Sequence, residues 1–73
     1  MQNYEIFRER LKKLREERHG LKRRTLSELC GLSPDLVARY ERGEAEPTVE
    51  TVEKIADYFE VSVDYLIGRA NFR

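Results

Sequence analysis

Ser27, Gly31 and Val37, in the middle of the chain, constrain its fold more than any other feature. A small residue, a glycine four positions later and a β-branched residue six further on fit two short helices that cross closely at a tight turn. Ser27 is small enough for the crossing, and Gly31 adopts the positive φ that ends a helix in such a turn. We expect Val37 to point back into a shared core. The spacing predicts a helix-turn-helix over about residues 23–41.

The neighbouring residues support this interpretation. Leu26, Leu32 and Tyr40 have spacings that suit the same core. Ser33 to Glu41 would then form the helix that DNA-binding proteins lay in the major groove.

The length and the cysteine content limit the domain organisation. We expect residues 1–73 to form a single DNA-binding domain, with residues 69–73 as its tail. Cys30 is the only cysteine, so no disulfide forms within the chain. A lone thiol without a secretion signal predicts a cytoplasmic protein. No apolar run approaches the ~18 residues of a membrane span, so we expect no membrane contact.

The charges are unevenly distributed along a chain whose net charge is zero. Residues 1–42 carry eleven Lys/Arg and seven Asp/Glu, whereas residues 43–73 carry three and seven, giving nets of +4 and −4. The densest basic stretch consists of Arg18, His19, Lys22, Arg23 and Arg24. Most charge runs are simply solvated faces, but this run adjoins the motif, which favours contact with DNA phosphates.

The apolar residues predict helices throughout. Tyr4, Phe7, Leu11 and Leu14 form one stripe of a first helix that Gly20 stops. A second helix is predicted from about residue 23 to residue 29 or 30.

The residue types at positions 33–43 indicate where a third helix begins and ends. Ser33 is a favoured N-cap, Pro34 suits the first helical position, and Asp35 suits the positive end of the helix dipole. Arg42 and Gly43 close the helix.

Two further helices follow a loop at residues 44–47. Thr48 caps the fourth helix, and Ser62 caps a fifth that stops at Gly68. We expect an all-α fold, a compact five-helix bundle without strands. The apolar residues of these helices and the tail are Val52, Ile55, Ala56, Phe59, Val63, Leu66, Ile67 and Phe72.

Several segments resemble the phage-repressor/Cro-like regulators, also called the xenobiotic-response-element family. The resemblance extends from about residue 4 to residue 68, and the runs at 39–43 and 61–68 are its most specific parts. It implies a lambda-repressor-like domain, sequence-specific DNA binding, regulation of transcription as a repressor, and a weak homodimer on paired half-sites. The matching segments are Leu14-Arg15-Glu16, Gly20-Leu21, Leu26, Gly31, Arg39-Tyr40-Glu41-Arg42-Gly43, Glu46-Pro47 and Val61-Ser62-Val63-Asp64-Tyr65-Leu66-Ile67-Gly68.

The resemblance also implies where DNA is contacted. The start of the second helix grips the phosphate backbone, early positions of the third helix face the bases, and Arg15 pairs with Glu41. The predicted DNA-binding residues are Lys22, Arg23, Arg24, Ser33, Pro34, Asp35, Leu36, Arg39 and Arg42. For a homodimer, the apolar candidates are Tyr65, Ile67 and Phe72.

Three of these residues have a structural alternative. Arg39 either contacts a guanine or a phosphate, or pairs with Asp35 one turn earlier. Asp35 accepts from a cytosine or only stabilises the helix start. Leu36 touches a thymine methyl or packs at the edge of the core.

The chain departs from the family at several positions. The second helix usually starts with Ser/Thr-Gln, but here Lys22-Arg23 replaces the cap with positive charge. Glu44 and Glu46 occupy a loop that is often basic, and Pro34 and Asp35 weaken direct base reading. These features favour a second hypothesis, a protein-interaction module that binds a regulator or a toxin, with weak or no DNA binding.

The sequence contains no motif typical of catalysis. It has no glycine-rich phosphate loop, no metal-ligand spacing and no nucleophile with a nearby base. We therefore expect no enzyme activity, no cofactor, no metal and no small-molecule substrate.

Overall fold

Five α-helices make up residues 4–73, the part of the chain that the computed structural model describes. They are α1 (Glu5–Glu17), α2 (Arg23–Leu29), α3 (Leu36–Arg42), α4 (Val49–Phe59) and α5 (Val63–Leu66). No strand occurs in this range, and the predicted all-α, five-helix fold is confirmed. Residues 1–3, at the N-terminus where a secretion signal would begin, lie outside the described residues. None of the described helices is long and apolar enough to cross a membrane.

The apolar stripe of α1 packs into a core shared by all five helices. Phe7, Leu11 and Leu14 are buried as predicted, and the Phe7 ring meets the Tyr40 ring edge to face, with centroids 5.5 Å apart. This contact joins α1 directly to α3. The buried apolar residues are Phe7, Leu11, Leu14, Leu26, Cys30, Val37, Tyr40, Val52, Ile55, Ala56, Phe59, Tyr65 and Leu66.

The close crossing of α2 and α3 depends on Ser27 in a way that its size alone does not predict. Ser27 is fully buried, and its hydroxyl oxygen accepts a 3.0 Å hydrogen bond from the backbone N–H of Val37. That N–H lies in the first turn of α3, where no carbonyl of the same helix is available. Ser27 therefore lets the helices approach and also caps the second of them.

The turn between the two helices forms as predicted. Gly31 has φ +74°, a left-handed conformation that glycine adopts without the steric cost that a Cβ atom brings. The N–H groups of Gly31 and Leu32 donate to the carbonyls of Glu28 and Ser27, at 3.1 and 2.8 Å. These two bonds form a Schellman motif, which ends α2 abruptly.

The start of α3 differs from the prediction. The N–H of Leu36 donates to the carbonyl of Ser33 at 3.0 Å, so these residues bound a turn and α3 begins at Leu36. Pro34 occupies the second position of this turn, which its fixed φ favours, and Asp35 has the φ of −98° and ψ of 2° typical of the third position. Ser33 was wrongly predicted as the N-cap, because Ser27 supplies the acceptor for α3 instead.

The caps of the last two helices are confirmed. The hydroxyl of Thr48 accepts from the N–H of Thr51 at 3.1 Å, and that of Ser62 accepts from the N–H of Tyr65 at 3.0 Å. Each bond satisfies one free N–H of the helix start.

The C-terminal segment is docked on α1 rather than projecting as a tail. The guanidinium of Arg10 donates to the carbonyls of Tyr65 and Ala70, and that of Arg73 forms two bonds to Glu17 at 2.6 and 2.8 Å. The hydrogen bond from Arg73 lowers the pKa of Glu17. Both guanidinium groups also lie over the ring of Tyr65, which is buried. Tyr65 is therefore part of the core, and its expected role in a dimer contact is wrong.

We expect Ser27→Ala to lower the free energy of unfolding by about 1–3 kcal/mol, because the buried N–H of Val37 loses its acceptor. Ser33→Ala is the matched control, since the exposed Ser33 hydroxyl forms no hydrogen bond within residues 4–73. It should change stability by less than about 0.5 kcal/mol. Urea unfolding followed by circular dichroism measures both variants, and equal losses would contradict the role of Ser27.

Candidate nucleic-acid interface

The nine residues predicted to contact DNA lie at the start of α2, in the turn before α3 and along α3. The α2 and α3 helices pack against each other through buried residues such as Ser27 and Val37, and the turn leads directly into α3. All nine residues are exposed except Leu36, which is half-buried. In chain order they are Lys22, Arg23 and Arg24, then Ser33, Pro34 and Asp35, then Leu36, Arg39 and Arg42.

The outer face of α3 carries two arginines. Asp35, Arg39 and Arg42 are spaced by four and three residues, which places them on one side of the helix. Val37 and Tyr40 are buried on the opposite side. This division between core and solvent agrees with the prediction that Arg39 points away from the core.

Arg39 and Leu36 have different surroundings in the structure. Within residues 4–73 Arg39 forms no ion pair, and the predicted alternative of a pair with Asp35 is absent. Its guanidinium is therefore available for an external ligand. Leu36 is half-buried and packs against the core, as its structural alternative predicts, and its contact with a thymine methyl stays a prediction.

Arg42 already has a partner. Its Nε and one Nη each donate to the Glu44 carboxylate at 2.9 Å, and both side chains are more than half exposed. The hydrogen bond raises the pKa of Arg42 and lowers that of Glu44. Because exposed pairs contribute little to stability, the main effect is to offset the charge of Arg42 at the end of α3. The proximity of two opposite charges around Gly43 was a visible signal of this pair.

A buried carboxylate connects three helices behind the interface. Glu41 on α3 accepts from Arg15 on α1 at 2.7 and 3.1 Å, so the predicted Arg15–Glu41 pair is present. Arg23, at the start of α2, donates its Nε to the same carboxylate at 2.9 Å. Sequence reasoning did not predict the contact of Arg23, which depends on the packing of α2 beside α3.

Arg15 is held from two sides. Its side chain is one-tenth exposed, and its remaining Nη donates to the carbonyl of Leu21 at 3.0 Å. The hydrogen bond to Glu41 raises the pKa of Arg15. Each of the three guanidinium nitrogens of Arg15 has an acceptor, so the ion pair avoids the large cost of an unpaired buried charge.

The other basic residues near α2 have different surroundings. Arg18 lies over the rings of Tyr58 and Phe59, at 5.3 and 5.2 Å from their centroids, and therefore packs against the end of α4. Arg24 pairs with the exposed Glu28 at 3.5 Å. Lys22 is exposed and forms no ion pair within residues 4–73. Lys22 and Arg23 line one open pocket with Arg15, Glu16, Arg18, Gly20 and Leu21.

The described residues contain little that suits other chemistry. No group of three or more His, Cys, Asp and Glu within residues 4–73 is arranged to hold a metal ion. Cys30 is buried in the core, and burial raises the pKa of its thiol. Its environment is that of a small apolar residue, as expected.

Two relatives are transcriptional regulators by name. The chain is similar to YonR, a helix-turn-helix regulator derived from the SPbeta prophage of Bacillus subtilis, with 34% identity over 62 residues. It is also similar to RstR, the transcriptional repressor of the cryptic phage CTXphi of Vibrio cholerae, with 43% identity over 44 residues. The aligned parts cover 85% and 60% of this chain but 56% and 39% of the relatives. The chain thus spans about half of their length or less.

Two solved structures have the same fold. A transcriptional regulator from Listeria innocua superposes with a TM-score of 0.74 and 40% identity, covering 85% of this chain and 57% of that one. The DNA-binding domain of the P22 c2 repressor superposes with a TM-score of 0.70 and 26% identity, covering 88% and 83%.

The match to a family extends over the whole motif and most of the core. Residues 11–66 match the helix-turn-helix family, and this segment begins in α1 and ends with α5. Together with the buried Ser27 crossing and the Arg15–Glu41 pair, the match confirms the resemblance seen in the sequence. The chain belongs to the helix-turn-helix family of Cro/C1-type DNA-binding domains, the group that includes phage repressors.

Proposed function

We propose that this chain is a single DNA-binding domain that recognises specific sequences in double-stranded DNA and represses transcription in the cytoplasm of a bacterium. The observation that carries the proposal is the exposed, unpaired guanidinium of Arg39, held on the outer face of α3 by the buried contact of Ser27 with Val37. The names of the relatives, a prophage regulator and a phage repressor, support the same conclusion.

The two helices have separate tasks in this proposal. The α3 helix lies in the major groove, where Arg39 donates to the O6 and N7 atoms of a guanine. Lys22, Arg23 and Arg24 at the start of α2 contact phosphates, which contribute affinity without sequence information. Pro34 and Asp35 provide no donor or positive charge, so sequence preference depends mainly on Arg39.

Binding should weaken steeply as salt is added. A few phosphate contacts by residues 22–24 and their neighbours predict a slope of about −3 to −5 per monomer for log binding constant against log salt. Fluorescence anisotropy with a labelled mixed-sequence duplex measures this slope. No binding at about 50 mM salt, or a slope near zero, would contradict the DNA-binding proposal.

Substitution of Arg39 and of Arg23 should have different effects. We expect Arg39→Ala to cost about 1–3 kcal/mol on the preferred site and to relax the preference at one base pair. Arg23→Ala should weaken all sequences alike and lower the salt slope by about one. Selection from a random duplex pool, followed by titration of the selected and a scrambled site, compares the two variants. Unchanged affinity and preference in Arg39→Ala would favour the protein-interaction alternative.

The alternative function rests on the carboxylates that flank the two ends of α3. Arg42 is bonded to Glu44, and Asp35 lies on the same outer face. If these carboxylates repel DNA, the domain would instead bind a protein, such as another regulator or a toxin, through the acidic segment at residues 43–64. The duplex titration distinguishes these two functions.

We also propose that the domain forms a weak homodimer on DNA, with half-sites about 34 Å apart. Apolar surface supports this proposal: Val49 and Phe72 are 73% and 78% exposed, and Val49 borders an apolar groove that Ile67 also lines. Sedimentation of the complex on a palindromic duplex should give two chains per duplex. A single chain per duplex at saturation would contradict a homodimer.

A further inference from the structure

One edge of the Arg23 guanidinium is bonded to the protein and the other edge is not. Its Nε donates to Oε1 of Glu41 at 2.9 Å, and the side chain is 49% exposed. Its two terminal nitrogens donate to no acceptor within residues 4–73. The planar group is therefore fixed on its inner side and open to an external acceptor on its outer side.

The carboxylate that holds Arg23 is itself fixed. The side chain of Glu41 is only 4% exposed, and Arg15 donates to both of its oxygens. The neighbouring Arg24 lacks such an anchor, because it pairs with Glu28 at 3.5 Å and both side chains are more than half exposed. Of these two adjacent arginines, only Arg23 has a buried acceptor.

We infer that Glu41 is a positioning residue for phosphate binding, which orients the terminal nitrogens of Arg23 toward the DNA backbone. This inference rests on the proposed function. A guanidinium binds a phosphate through two parallel N–H donors, so its orientation matters as well as its charge. Holding the side chain before DNA arrives reduces the conformational entropy lost on binding.

The charges of the network are compatible with this role. Arg15 and Arg23 share one carboxylate, so the group of three keeps a net charge of +1. A phosphate therefore meets a cation rather than a neutralised pair. Arg42 has a different arrangement, since Glu44 bonds both its Nε and a terminal nitrogen.

The first test keeps the positive charge at position 23 and removes the parallel N–H donors of the guanidinium. Binding of the full chain to a mixed-sequence duplex is measured at several salt concentrations for Arg23→Lys and for the matched control Arg24→Lys. Arg23→Lys should weaken binding about 3- to 10-fold with an unchanged salt slope, and Arg24→Lys, which has no buried anchor to lose, should weaken it by a clearly smaller factor. Equal affinities for the two variants would overturn the inference. Neither exposed substitution should unfold the domain.

The second test asks whether Glu41 acts through Arg23. Glu41→Gln is made in the original chain, in Arg23→Ala and in Arg24→Ala, and each affinity is corrected for the folded fraction measured by unfolding. Glu41→Gln should weaken binding in the original and Arg24→Ala chains but not in Arg23→Ala. Equal losses in all three chains would overturn the inference, because they indicate a purely structural role. Stronger binding by Glu41→Gln would also overturn it, since Glu41 would then compete with phosphate for Arg23.

The outcome for the original chain separates this inference from the function on which it rests. If the original chain does not bind the duplex, the proposed function fails and the positioning role fails with it. If it binds with a steep salt dependence and Arg23→Lys binds equally well, only the positioning role fails. Should Glu41→Gln not fold, the comparison of Arg23→Lys with Arg24→Lys still decides the question.

Discussion

The arrangement of the first three helices depends on the hydrogen-bonded ion pairs of the buried Glu41 carboxylate. This carboxylate lies on α3 and accepts hydrogen bonds from Arg15 on α1 and Arg23 on α2. Removing one partner of such a buried pair typically costs about 3–5 kcal/mol, because the other charge is left without compensation. A domain of 73 residues has only modest stability to lose. The same group that fixes the helix packing thus also restricts a side chain on the proposed DNA-binding surface.

The helices and most of their ends could be predicted because they depend on local chemistry. The apolar stripe of α1, the hydroxyl caps of Thr48 and Ser62 and the positive φ of Gly31 all follow from residues a few positions apart. The start of α3 could not be predicted in this way. The free N–H of Val37 in its first turn donates to the hydroxyl of Ser27, ten residues earlier. The local preference of Ser33 for an N-cap position therefore did not decide where the helix begins.

The exposure of the candidate DNA-binding residues could be predicted from the sequence, but the partners of their charged groups could not. The motif correctly placed Arg39 on the outer face of α3, since helical periodicity alone separates it from Val37 and Tyr40. The partners of Arg23 and Arg42 were not predicted, and neither was the docking of Arg73 on Glu17 across 56 positions. The long side chains of Arg23 and Arg73 reach acceptors 18 and 56 positions away, which neither spacing nor composition specifies. A count of basic residues therefore overestimates the cations that are free to meet a phosphate.

The separation of charge along the chain has a consequence for specificity. With no net charge overall, the domain gains little long-range attraction to DNA as a whole, and its association depends on how the charges are oriented. The basic residues 22–24 adjoin the recognition motif, whereas α4 exposes Glu50, Glu53 and Asp57. A phosphate backbone attracts the basic surface and repels the acidic surface of α4. The charges therefore favour binding of DNA to the side of the domain that α2 and α3 form. Because the phosphate contacts proposed for residues 22–24 carry no sequence information, a single well-placed base contact such as that proposed for Arg39 would account for a large share of the discrimination between sites.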